Sequence, residues 1–280
     1  MKKRTITNQT ISLFQTYLTE NERATATIEK YMRDIRLFTK YAKDKPLNKA
    51  LVLEYKTSLE QSYAIRSANS MLAALNAYFR FLDWHDLCVK QFKVQKEAYC
   101  SEEKELTKAE YMALVRAAEQ KKNERLSLVV QTICGTGIRI SELQSITVEA
   151  VRRGEAMVSC KAKTRKIFIV KALQKKLLRY AMEQGITTGV LFITKSGKPL
   201  NRSNIWREMK SLCEQAGVSP QKVFPHNLRH LFARTFYGIE KDIAKLADIL
   251  GHSNINTTRI YIITTGAEHQ QRMENMKLII

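Results

Sequence analysis

Apolar residues in the first ninety or so positions return every three or four residues. That spacing gathers them on one face of a helix and would scatter them over both faces of a strand. Between Thr25 and Lys43 the series is Ile28, Tyr31, Ile35, Phe38 and Ala42. Thr25 or Thr27 suits the start, and Asp44-Lys45-Pro46 ends it, because proline cannot continue a helix. A second long helix is predicted from Ala64 to Trp84, with Met71, Leu72, Leu75, Tyr78, Phe79 and Leu82 on its inner side. Shorter helices near 8–20 and 48–62 complete a four-helix unit over residues 1–92. A helix with one apolar stripe must bury it against another element, so the four pack together.

The periodicity fails over 93–104, where charge accumulates, and this stretch reads as an interdomain linker. Helix signals resume at Leu106-Thr107, where Thr107 and Glu110 match a capping box. Over 156–170, "AMVSCKAKTRKIFIV" has two apolar, partly β-branched ends around a basic centre, the pattern of a β-hairpin. "GVLFITKSGKPL" predicts a further short strand, and helices follow at about 202–216, 225–237, 241–250 and 255–262. The expected fold is mainly α with a small β-sheet, a helical first domain preceding an α+β domain over 105–280. A chain of 280 residues accommodates two such cores.

The formal net charge of +20 points to a polyanionic partner, since each basic side chain that displaces a condensed counterion from nucleic acid adds affinity. Residues 1–104 hold 18 basic and 12 acidic groups and the remainder 29 and 15, so the stronger field belongs to the second domain. The five cysteines are scattered without C-x-x-C pairs or histidines at ligand spacing, which argues against a zinc site and a disulfide framework. No signal peptide and no apolar run of membrane-spanning length is read, so the expected compartment is the cytoplasm.

Four segments of the second domain carry candidate chemistry: "GTGIRISEL" at 135–143, "SCKAKTRKIFI" at 159–169, "PHNLRH" at 225–230 and "LGHSNINTTRIY" at 250–261. Each also has a plain structural explanation. Arg139 follows a Gly-Thr-Gly turn and either faces an anion at a helix start or bonds Glu142 at the surface. His226 and Arg229, three apart, share a helix face. Lys161 sits in a basic hairpin, His252 follows Gly251 in a turn, and Tyr261 suits a helix core as well as a reactive site.

Taken together in order, Arg139, Lys161, His226, Arg229, His252 and Tyr261 resemble the catalytic signature of the tyrosine recombinases, the phage integrase family. "TGIRISEL" is similar to the family's T-G-x-R-x-S-E-L box, and the nine-residue step from His252 to Tyr261 also matches. The resemblance spans most of 106–265, and the helical unit looks like the family's core-binding domain. It implies a site-specific, Xer-like simple recombinase that cuts and rejoins double-stranded DNA at short core sites, in integration, excision, inversion or resolution. Tyr261 would be the nucleophile, Arg139 and Arg229 a clamp on the non-bridging phosphate oxygens, and His226 the proton acceptor. His252 would bond the phosphate and hold the site, and Lys161 would protonate the leaving 5′-oxygen, with Lys163 as the alternative acid. No metal or cofactor is implied, and no paired carboxylates stand near these basic residues. Ala162 stands where the family's hairpin usually carries glycine, which leaves the choice of lysine open. Glu142 and Asp248 read as orienting or capping groups and His230 as structural.

Further DNA contacts are expected from Arg33, Arg36, Lys40, Arg66 and Asn69 in the helical unit and from Lys163 and Arg165 on the hairpin. Arg202, Asn204 and Arg207 would read the major groove from the helix near 202–216. Only about a hundred residues precede the catalytic region, so no additional arm-binding domain is expected. The resemblance also implies a ring of four protomers on two DNA duplexes, with possible accessory proteins, in which the apolar tail ending in "MKLII" docks on a neighbour. Deleting residues 267–280 should therefore leave single-protomer DNA binding intact and weaken synapsis, measured by gel shift on one and two duplexes.

Overall fold

The computed structural model describes residues 4–94, 104–160, 163–194, 196–262 and 273–276. It divides into two compact units, residues 1–96 and 97–280.

In the first unit α1 (Asn8–Glu20), α2 (Thr25–Tyr41), α3 (Lys49–Ser62) and α4 (Ile65–Phe81) enclose one core. Ile35, Phe38, Leu72, Tyr78 and Phe79 lie at its centre, all wholly buried. Neither Thr25 nor Thr27 caps α2. The N-cap is Ala24, which makes no side-chain capping bond, and Thr25 is already helical. The helix forms because its apolar face is buried, and packing of that kind outweighs the missing cap.

The long helix expected to reach Trp84 ends at Phe81, and a short 3₁₀ turn over His85–Leu87 follows. The chain then runs back along α4 and is held by two asparagines seven positions apart. The Asn76 amide donates to the Val89 carbonyl at 2.8 Å and accepts from its N–H at 2.9 Å. Asn69 does the same to Phe92, at 2.9 and 2.7 Å. Each side chain imitates a sheet partner for an extended segment that has none.

The second unit is built on α6 (Glu124–Thr136), which packs against α5 (Lys108–Gln120), α8 (Lys171–Glu183) and α11 (Pro225–Glu240). Thr107 and Glu110 form the expected capping box at the start of α5. The hairpin consists of β1 (Glu155–Cys160) and β2 (Lys163–Phe168), antiparallel with Glu155 opposite Phe168 and Cys160 opposite Lys163. It is preceded by α7 (Val148–Arg153). No strand forms over 189–200 among the described residues. Only single bridges are made there, Thr147 to Val190 and Ile193 to Pro199, because a turn closed between Thr194 and Lys198 interrupts the extended run. The helix expected over 202–216 is two, α9 (Arg202–Lys210) and α10 (Cys213–Ala216). After α12 (Ile243–Leu250) comes α13 (Ile255–Arg259), so Tyr261 lies in the turn beyond a helix rather than within one. Among the described residues no helix is long and apolar enough to cross a membrane.

Asn76 and Val89 are both buried, so Asn76→Ala strands two backbone polar groups at about 1–3 kcal/mol each. Urea denaturation should show a clearly lower midpoint for that variant and a smaller drop for Asn69→Ala, whose surroundings are partly open to water.

Candidate active site

The site is organised around the carboxyl end of α12. The last carbonyls of a helix lack intrahelical donors and carry the negative end of its dipole. Here three consecutive ones are each taken by a different arginine. Arg165 Nε donates to Ile249 at 3.1 Å, Arg229 Nη2 to Leu250 at 2.7 Å, and Arg139 Nη2 to Gly251 at 3.4 Å. These arginines come from β2, from α11 and from the turn after α6.

Gly251 ends α12 in the left-handed region at φ +65°. A Cβ on it would stand 2.7 Å from Arg165 Cδ, so the residue is glycine for space as well as conformation. Gly137 ends α6 likewise at φ +64°, and a Cβ there would meet the Phe232 ring at 2.5 Å. That close approach brings the Gly137 carbonyl onto Arg229 Nη1 and sets Arg139 two residues further on.

Among the described residues Glu142 is the acid that bonds two of these arginines. It accepts from Arg165 Nη1 and Nη2 at 2.8 and 2.7 Å, from Arg139 Nη1 at 2.8 Å, and from the Arg139 backbone N–H at 2.9 Å. Burial by itself would raise its pKa, but these bonds outweigh burial and hold it at about 2. Arg139 therefore bonds Glu142 and still lines a cleft of about 670 Å³. The bond to Glu142 read from the sequence is present, and the side chain also borders the cleft.

Arg229 is different. It is 2% exposed and its hydrogen bonds go to two carbonyls and to His252 Nε2 at 3.0 Å, with Nε unpartnered. Burial, and then the positive Arg139, bring its pKa down to about 10. A buried guanidinium without a carboxylate is a charge awaiting a counterion.

Because Arg229 can only donate, His252 Nε2 accepts and its Nδ1 carries the proton, directed at Thr258 Oγ1 at 2.9 Å. The imidazole is neutral. Burial first, then Arg229 and Arg139, depress its pKa to about 4. Both ring nitrogens of His252 are thus engaged within the protein.

Tyr261 is 6% exposed and belongs to a small apolar cluster with Ala233, Leu246 and Leu250. Its ring lies 5.2 Å from that of His252, 5.3 Å from His226 and 4.2 Å from His230, and the Arg229 guanidinium carbon is 6.0 Å from its centroid. His226 opens onto the cleft, and much of its ring surface reaches solvent. Lost hydration on its inner side, then the positive field of its neighbours, lowers its pKa to about 4. At neutral pH it is an unprotonated base beside a phenol.

Lys161 lies outside the described residues, and of Lys163 the backbone pairing in β2 is what the structure describes. Arg202 and Arg207 of α9 line the same cleft as Arg139, His226 and Arg229, together with Trp206, and Asn204 is exposed beside them. Arg33, Arg36, Lys40 and Arg66 are exposed on α2 and α4, although Arg33 also reaches Asp34 at 3.1 Å. Two of the expected contact residues have partners within the protein. The Asn69 side-chain amide is committed to Phe92, and the Arg165 guanidinium to Glu142 and Ile249. Glu105 escaped sequence reading. It stands 3.6 Å from His230 Nδ1 and 3.3 Å from Arg234. It is far away in the chain from both, so no local pattern marks it. Thr258 had no signal either, whereas Glu142 was marked by its three-residue step from Arg139. Among the described residues no group of three or more His, Cys, Asp or Glu side chains is placed to hold a metal ion.

The profile of the phage integrase family matches residues 104–267, and that of the phage integrase N-terminal SAM-like domain matches 11–86. The chain is 30% identical to tyrosine recombinase XerA of Thermococcus kodakarensis over 97% of its own length and 96% of that protein's. It is 28% identical to tyrosine recombinase XerH of Campylobacter jejuni, over 78% of this chain and 67% of that one. In fold it is similar to lambda integrase(75–356) bound as a dimer to a COC′ core site, with a TM-score of 0.75 at 18% identity, covering 93% of this chain and 96% of the other. It is also similar to the XerH site-specific recombinase bound to its difH substrate, with a TM-score of 0.68 at 17% identity, covering 96% and 84%. The chain belongs to the phage integrase family. It is a tyrosine recombinase, an enzyme that breaks and rejoins DNA strands at specific sites through a covalent intermediate.

The depressed imidazoles make a pH prediction. His226 and His252 have folded pKa values of about 4 against 6.5 when unfolded, so between those values the unfolded chain binds more protons. Their contribution to stability is present above pH 6.5 and is lost as the pH falls toward 4. Thermal midpoints should drop across that window, and His252→Gln should show a shallower drop than the parent protein.

Proposed function

We propose that Tyr261 is the nucleophile of this recombinase and that Arg139, Arg229, His226 and His252 form its phosphate site. The observation that carries the reading is the convergence of four segments, distant in sequence, on the carboxyl end of α12, with the Tyr261 ring packed between three imidazoles and a buried guanidinium.

The phenolic oxygen of Tyr261 attacks the scissile phosphorus, forming the P–O(Tyr) bond as the bond to the 5′-oxygen breaks. An unassisted phenol, with a pKa of about 10, is a weak nucleophile near neutral pH. His226 takes its proton. The phosphorane intermediate carries extra negative charge on its non-bridging oxygens, and Arg139 and Arg229 offset it with fixed guanidinium forks. Arg229 is already desolvated, so it loses no hydration of its own when a phosphate arrives. His252 keeps Arg229 in register, and a hydrogen bond from its Nε2 to a phosphate oxygen requires that nitrogen to leave Arg229 and to carry a proton. A lysine of the hairpin, Lys161 ahead of Lys163, gives a proton to the departing 5′-oxygen. The products are a 3′-phosphotyrosine and a free 5′-hydroxyl. A second strand's hydroxyl reverses the attack without ATP, because the phosphotyrosine retains the energy of the broken bond.

The partner is double-stranded DNA. Solved relatives include lambda integrase as a tetramer bound to a Holliday junction, which supports assembly of this chain into four protomers on two duplexes. In the same reading residues 1–92 clamp the DNA, residues 93–104 link the domains, and the tail beyond Tyr261 exchanges between protomers. Arg33, Arg36, Lys40 and Arg66 would meet backbone phosphates, and Arg202, Asn204 and Arg207 the DNA entering the cleft. A cytoplasmic setting follows from a DNA substrate.

The test is adduct trapping. Purified protein is mixed with DNA flanking its own gene in EDTA and quenched with SDS. An SDS-stable adduct mapped to Tyr261 by mass spectrometry, absent in Tyr261→Phe while DNA binding persists, is the expected result. Tight binding with no adduct across a genomic fragment library would overturn the assignment.

A further inference from the structure

We infer that Arg165 is a positioning residue for strand cleavage, setting the phosphate-facing Arg139 through Glu142 and the Gly251–His252 turn through the end of α12. The inference rests on the reading of Arg139 as a phosphate ligand.

Arg165 is unlike the other basic residues of the hairpin. Lys166 of the same strand is exposed and pairs with Glu155, another hairpin residue. The Arg165 side chain is 12% exposed, and all three of its guanidinium nitrogens donate to acceptors of the domain. Two meet Glu142 in a parallel fork, the geometry in which a guanidinium fixes a carboxylate in both place and plane. The third meets the Ile249 carbonyl, next to the carbonyls taken by Arg229 and Arg139.

Glu142 in turn holds Arg139 at two points, its backbone N–H and its Nη1. Without Arg165 that carboxylate keeps its two bonds to Arg139 but loses the fork that fixes its plane from the other side. The Arg165 stem also lies against Gly251, where a Cβ would stand 2.7 Å from Cδ. The side chain therefore sets both ends of the site, Arg139 on one side and the turn bearing His252 on the other. It reaches the substrate only through them. Lysine supplies one charged nitrogen without a fork, so it cannot bond both Glu142 oxygens and Ile249 with the same geometry.

The experiment compares the parent protein, Arg165→Lys, Glu142→Gln, the double variant and Arg139→Ala, all as full-length chains. Single-turnover cleavage is followed on nicked duplexes carrying the site mapped by adduct trapping. One duplex has an ordinary scissile phosphate, and the other a methylphosphonate that lacks one charged non-bridging oxygen. Arg165→Lys should slow cleavage of the phosphate at saturating protein by on the order of 10²-fold, the size of effect that a misplacement of about 1 Å produces. Its DNA affinity and the salt dependence of that affinity should stay unchanged.

The double variant should be no slower than the slower single variant, because both changes break one link. The defect should shrink on the methylphosphonate, and that of Arg139→Ala should shrink with it, since there is less charge to neutralise. A fold disturbed without reference to Arg139 would slow both substrates equally, and that result overturns the inference. Undiminished cleavage overturns it too. So does weakened binding with a shallower salt slope, the mark of a direct phosphate contact. If Arg165→Lys does not fold, Glu142→Gln carries the same substrate comparison from the other end of the link. Failure of the parent protein to cleave would indict the functional assignment instead.

Discussion

Three arginines crowd one helix terminus, and the structure depends on how their mutual repulsion is offset. Guanidiniums stay charged at any pH a cell meets, so bringing Arg139, Arg165 and Arg229 together needs negative potential nearby. The end of α12 supplies part of it as three carbonyls, one for each arginine. Glu142 supplies the rest, but for Arg139 and Arg165 only. The positive field left over is concentrated at Arg229, in the interior, where the local dielectric is low.

Burial comes first in keeping the imidazoles neutral, and that arrangement adds to it. His226 and His252 share their surroundings with uncompensated positive charge, which disfavours a proton on either ring. A neutral His252 can accept from Arg229, and a neutral His226 can accept a proton from a phenol. Tyr261 is held in an apolar seat formed by α11 and α12.

The backbone makes room for these side chains at two glycines. Gly137 lets the end of α6 approach Phe232, and Gly251 lets the end of α12 lie against Arg165. Both are left-handed helix ends, so conformation and close approach select the same residue twice. In the other unit, two asparagines on α4 hold an extended segment as a sheet partner would. It is a local solution to buried backbone polar groups where no strand is available.

Much of this was legible in the sequence. Three- and four-residue apolar steps are imposed by helix geometry, so α2 and α4 and their inner faces could be read directly. The hairpin was marked by two β-branched runs around a polar centre, and the ordered Arg, His-x-x-Arg, His and Tyr positions marked the family. Element ends were less legible. α2 starts without a side-chain cap because burial outweighs propensity, and the run after Gly189 forms isolated bridges because a tight turn interrupts it. What the tertiary structure alone decided was the use of each polar group. Arg165 and Asn69 look like surface DNA contacts in sequence, since residue type reports charge and hydrogen-bonding capacity but not the partner. Their partners, Glu142 and Phe92, are about twenty residues away in the chain and are brought close only by folding. Glu105 reaches His230 the same way, because packing, and not spacing along the chain, determines which acceptor a buried donor meets.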